Sequence, residues 1–161
     1  MSPLGIGTRE TWDALLAGRS GIGPITRFDT QAFESRFAGE VKGFEPERWM
    51  EKKEVKKMDL FIHYALAAAQ MALDDSGFTI DEANAERMAM VIGSGIGGFP
   101  MIERTHSTLL EKGPDRVSPF FIPGRLINLA GGYVSIRHQL KGPNHAVVTA
   151  CATGSHAIGD A

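Results

Sequence analysis

The chain has 161 residues, 43% of them hydrophobic and 22% charged, and a formal net charge of −2. That length fits one ordinary domain, and the composition is that of a globular chain. The charge offers no general attraction to nucleic acid or an anionic membrane. No apolar run approaches the ~20 residues needed to span a bilayer, and no secretory leader is recognisable at the start. The single cysteine, Cys151, cannot form an intrachain disulfide, which points to a soluble protein of a reducing compartment, the cytoplasm.

In chain order, residues 8 to 17 predict a helix capped by Thr8, with Trp12, Leu15 and Leu16 as its apolar stripe and Gly18 as its stop. Residues 18 to 44 show no sustained period and predict loop with short strands, such as Glu40-Val41. The charged run Glu51 to Lys57 leads into a strong helix, Asp59 to Asp75, closed near Gly77 and apolar enough to be buried. Arg87 to Ile92 predicts a buried strand. A glycine loop follows, then a helix over Pro100 to Glu111, an irregular segment from Pro114 to Pro123, and a helix over Gly124 to Leu140 in which Gly131-Gly132 permits close packing. Val147 to Thr149 predicts the end of a strand, and Ser155 onward the first turns of a helix. This is an α/β pattern with long excursions between strands.

Cys151 falls where that strand turns into that helix. The free N–H groups and positive dipole end of a helix start favour negative charge on the sulfur. Ala150, Ala152 and Gly154 leave room for a carbonyl to approach, as an acyl-accepting nucleophile requires. Against this, a lone cysteine often serves as a small core hydrophobe. None of the five histidines is placed to serve it. His156 lies five residues on, about 500° around a helix. His145 lies six residues back, about 20 Å along a strand. His63 and His106 sit in predicted helices with no local acid partner, and His138 is expected to face solvent.

Gly93-Ser94-Gly95-Ile96-Gly97-Gly98 satisfies G-x-G-x-x-G between a strand and a helix. A dinucleotide site also needs an acidic strand end about 20 residues on and a βαβ unit of about 30 residues. The stretch Asp115 to Pro119 supplies neither. No cluster implies a metal or a redox cofactor. Lys53, Lys56 and Lys57, at i, i+3 and i+4, share one side of a helix. Such a run is either a solvated face or a patch that steers an acidic partner.

Several collinear blocks resemble one family: Ser2-Pro3-Leu4-Gly5, Leu15 to Ile22, Phe37-Ala38-Gly39, Lys57-Met58-Asp59, Gly93 to Gly98, Ser118-Pro119-Phe120-Phe121-Ile122-Pro123 and Thr149 to Ala161. Together they resemble the β-ketoacyl-acyl-carrier-protein synthases, most closely the type II branch that elongates longer acyl chains. The resemblance implies a thiolase-like layered αβαβα fold, of which residues 1–161 would form a partial N-terminal half lacking the first strand and ending inside the nucleophile helix. It implies Cys151 as the acyl acceptor, with its own backbone N–H as one oxyanion donor. It puts Ile96 near the floor of the acyl pocket, and Phe121 at a homodimer interface, reaching the partner's pocket. Lys53, Lys56, Lys57 and Arg116 would meet the acidic acyl carrier protein, which brings acyl and malonyl groups. The two histidines for malonyl decarboxylation come from later in the family's sequence. Two other readings stay open: a non-catalytic carrier-binding or dimerising fragment, and a polyketide-type ketosynthase.

Overall fold

The computed structural model describes residues 1–161 and divides into two units, Met1–Glu45 and Pro46–Ala161. In the first unit, α1 (Thr8–Leu16) begins at Gly7, whose φ of 106° is easy only for glycine. Thr8, expected as the cap, is instead the first helical residue, and no side chain caps the helix. The Glu10 carboxylate turns back to accept the Ile6 N–H at 2.8 Å. Only Ala14 of this helix is buried.

β1 (Ile22–Pro24) pairs antiparallel with β2 (Phe37–Gly39), Ile22 opposite Gly39. The strand expected at Glu40-Val41 therefore lies earlier in the chain. Glu40 has a different task. Its buried carboxylate accepts from the Thr26 hydroxyl at 2.8 Å, from the Thr26 N–H and from the Arg27 N–H. The Thr26 hydroxyl is the main reason its pKa falls below the ordinary value.

The core of the second unit lies between α3 (Leu60–Ser76) and α6 (Asn128–His138), where Ile62, Leu66 and Val134 are fully buried. α3 lies within one residue of the expected Asp59 to Asp75 at each end: Asp59, expected as its first residue, caps it, and Gly77 closes it at φ 63°. The lysine run does not open this helix. It forms a separate short helix, α2 (Lys52–Val55), closed by a capping box between Glu51 and Glu54. Arg137 ties α2 to α6, donating to the Trp49 carbonyl at 2.7 Å and to the Glu54 carboxylate at 2.9 Å.

The strands are shorter than their apolar runs suggest. β3 (Met90–Val91) pairs parallel with β4 (Asn144–His145), and Ile92 N–H adds a bond to the His145 carbonyl. The residues expected to end the second strand, Val147 to Thr149, are not in a strand. The ladder stops there because the opposing chain passes into the glycine loop at Gly93. α4 (Phe99–Lys112) appears where expected. The helix expected over 124–140 is broken into α5 (Phe121–Arg125) and α6, with Leu126 in extended conformation between them. Gly131 does permit a close approach: a Cβ there would lie 2.8 Å from Asn144 Oδ1. No helix is long and apolar enough to cross a membrane.

Candidate active site

Cys151 is exposed in a 3-10 turn, Ala150–Ala152, which runs directly into α7 (Thr153–Asp160). The residue before it, Ala150, has a φ of 51°, in the left-handed region that costs a residue with a Cβ roughly 1–2 kcal/mol. A sharp, strained turn of the chain into a helix is what holds the nucleophile outward in α/β-hydrolases. Thr153 fixes the turn. Its hydroxyl accepts from the Thr149 N–H at 2.9 Å and donates to the Ala150 carbonyl at 2.8 Å. His156, judged unable to reach Cys151, instead shares a 2.8 Å hydrogen bond with the Thr149 hydroxyl.

The glycine loop packs on this turn. A Cβ at Gly93 would collide with the Val147 carbonyl oxygen and the Thr153 methyl, and one at Gly95 would lie 3.2 Å from the Ala150 carbonyl oxygen. These glycines answer close backbone packing, a more ordinary need than phosphate binding. On the loop's other side, Gly98 N–H donates to the Arg125 carbonyl at 3.1 Å. Ile96, between these contacts, is 70% exposed and is not core packing in this chain.

Phe121 opens α5 and is half-buried, with the Arg125 guanidinium 4.9 Å from its ring centre. Phe120 carries the Lys57 ammonium at 4.6 Å. Lys52, Lys53, Lys56 and Lys57 line one open groove with Phe120. Helical spacing does not gather these lysines, because α2 ends at Val55; the turn after it does. Lys53 is paired with Glu51 at 2.7 Å, chiefly by a hydrogen bond that raises the lysine's pKa. Arg116 is exposed in the 3-10 turn Pro114–Arg116 and is not among the groove's lining residues.

Sequence reasoning missed the role of Asp59. It is 3% exposed and joins three elements. One carboxylate oxygen accepts from Leu60 N–H at the start of α3, and the other from Met101 N–H in the first turn of α4, each at 2.6 Å. Its own N–H donates to the Gly124 carbonyl in α5 at 2.8 Å. The only sequence signal was its place at the start of the expected helix.

His63, one turn after Asp59, does have an acid nearby, contrary to expectation. Burial nevertheless dominates and lowers its pKa, against the smaller opposing pull of the Val55 carbonyl and the Asp59 charge. His138 does not face solvent as expected: its Nε2 is buried, and burial lowers its pKa too.

The family model for the β-ketoacyl synthase N-terminal domain matches residues 1–161. The chain belongs to the β-ketoacyl synthase family. It is 53% identical over all 161 residues to the 3-oxoacyl-[acyl-carrier-protein] synthase 2 of Vibrio cholerae, covering 39% of that protein. It therefore spans about two fifths of the length of the curated relatives it matches. Among solved structures it resembles the ishigamide ketosynthase/chain length factor, with a TM-score of 0.80 at 32% identity, over 99% of this chain and 42% of the other. It also resembles a β-ketoacyl synthase from Burkholderia phymatum, with a TM-score of 0.77 at 33% identity, over 99% of this chain and 40% of the other. The ketosynthase fold expected from the motifs is thus the fold observed.

Proposed function

We propose that this chain is the nucleophile-bearing part of a condensing enzyme that elongates acyl chains in fatty-acid synthesis. The observation that carries the reading is Cys151, exposed on a strained turn at the head of a helix, in a chain matched end to end by the ketosynthase N-terminal model. The Cys151 sulfur attacks the thioester carbonyl of an acyl carrier protein. The carbonyl oxygen takes up the negative charge, the carbon–sulfur bond to the carrier thiol breaks, and the acyl group remains on Cys151. A carbanion from a decarboxylated malonyl carrier then displaces Cys151, giving a chain two carbons longer. One preorganised donor to the oxyanion is worth roughly 3 kcal/mol, and we assign that role to the Cys151 backbone N–H.

Ile96 and Phe121 border the acyl chain, Phe121 from across a homodimer interface. Lys53, Lys56 and Lys57, with Arg116, receive the acidic carrier. The groove supports the role of the lysines, since it gathers positive charge on a chain of net charge −2. A fatty-acid role is preferred over a polyketide one because relatives named 3-oxoacyl-[acyl-carrier-protein] synthase 2 match the whole chain at 51% and 53% identity.

The test is the intact mass of the complete natural polypeptide after incubation with acyl carrier protein. One acyl group per Cys151 is expected, and none in Cys151→Ser. Equal acylation of that variant would refute Cys151 as the acceptor.

A further inference from the structure

Phe121 and Arg125 are the first and last residues of α5, one helical turn apart, so their side chains share one side of it. The Arg125 guanidinium lies 4.9 Å from the centre of the Phe121 ring. It takes part in none of the chain's ion pairs, and its Nε–H is buried without an acceptor. No other aromatic ring stacks on Phe121, which is half-buried in its own subunit. The backbone under each side chain is held. The Arg125 carbonyl accepts from Gly98 N–H at 3.1 Å, and a Cβ on Gly98 would lie 2.8 Å from the Arg125 Cα and Cβ. Phe121 N–H donates to the Ser118 carbonyl at 3.0 Å. A flat cation on a fixed stem thus lies against a ring on a fixed stem.

We propose that Arg125 is a positioning residue for Phe121, and that by holding this ring it sets how long an acyl chain the partner subunit's pocket accepts. This rests on the reading that Phe121 borders the acyl chain from across a homodimer interface. A ring that turns about its side-chain bonds is a wall that yields, and a yielding wall does not stop a chain at a defined length. Arginine is suited to fix it, because its guanidinium is planar, always charged, weakly hydrated and stacks on an aromatic face. With no carboxylate paired to it and no acceptor on Nε–H, nothing in the chain draws the guanidinium off the ring. A cation–π contact biases such an equilibrium about two- to fivefold where it is exposed, and more where water is excluded. Arg125 touches no reacting atom; it acts through Phe121.

The experiment uses the complete natural polypeptide and acyl carrier proteins loaded with saturated chains of increasing length. Acylation of Cys151 is followed by intact mass, and the rate is read on either side of the length at which the parent slows. In Arg125→Met, which keeps an unbranched stem and removes the charge, the drop across that limit is expected to shrink about two- to fivefold, while the rate for chains too short to reach the wall stays within about twofold of the parent. Arg125→Lys, which keeps the charge and loses the flat stack, should change the limit in the same direction by less. A merely structural role would slow all lengths alike. Two variants that keep the parent's length profile, or that slow every length equally, would overturn the proposal. Phe121→Ala separates it from the reading beneath it. A profile changed by Phe121→Ala and untouched in both Arg125 variants would overturn the role of Arg125 and spare that of Phe121; a profile unchanged by Phe121→Ala would overturn both. Mixed dimers show which pocket is affected. An otherwise parental subunit paired with one carrying Arg125→Met and Cys151→Ser should show the altered profile. An Arg125→Met subunit paired with a Cys151→Ser subunit should show the parent's, and the reverse assignment would overturn action across the interface.

Discussion

Replacing Asp59 with alanine should cost far more than an ordinary helix-cap substitution. A cap mutated to alanine loses about 1 kcal/mol. Asp59 also satisfies the Met101 N–H at 2.6 Å, 42 residues away, in a buried position. A hydrogen bond to a charged acceptor contributes about 1.5–3 kcal/mol, and its loss leaves that N–H buried without a partner. The sum is roughly 2.5–4 kcal/mol. Urea unfolding of the parent and of Asp59→Ala in the complete polypeptide measures the loss. Asp59→Asn isolates the long-range bond, because asparagine still caps α3 but can present an oxygen to only one of the two N–H groups. It should retain the capping contribution and still lose about 1–2 kcal/mol. A loss of 1 kcal/mol or less in the alanine variant would refute the reasoning, since Asp59 would then act only as a local cap.

Three further outcomes are expected. Gly93→Ala should destabilise by at least 1–3 kcal/mol and sharply reduce acylation of Cys151, because the new Cβ has nowhere to go but into the Val147 carbonyl; normal Tm and acylation would show that the loop is not packed so tightly. Ala150→Gly should stabilise by up to about 1 kcal/mol, the relief of a left-handed φ of 51° less the entropy glycine adds to the unfolded chain, whereas a destabilisation in urea would mean that Ala150 is not strained. His63 is kept neutral by burial, its Nε2 donating to the Val55 carbonyl at 3.1 Å and its buried Nδ1 without a partner. With the folded pKa below the unfolded one, the unfolded chain binds the extra proton. The stability His63 contributes is therefore complete above about pH 6.5 and declines as pH falls below it. A His63→Gln variant should show a shallower loss of Tm between about pH 7.5 and 5.5, and identical slopes would refute the assignment.

The sequence by itself determined the elements whose signals are local. α3 was legible because a long run of helix formers and a stop at Gly77 lie within one stretch of chain. α4 was legible for the same reason, and Cys151 was singled out by residues within a few positions of it. Helix caps, propensities and turn residues act between near neighbours, so one sequence is enough to read them. What needed distant partners was decided only by the tertiary structure. The parallel pairing of Met90–Val91 with Asn144–His145 cut two apolar runs down to short strands. The bond from Gly124 to Asp59 fixed α5 as an element of its own, where helical spacing predicted one continuous helix. The lysines came together through a turn and a phenylalanine more than 60 residues later in the chain, which no periodicity encodes. Asp59 itself shows both levels. Its place at the start of α3 could be read from the residues after it, but its bond to Met101 exists only because folding brings the start of α4 against the start of α3 and buries the pair away from water.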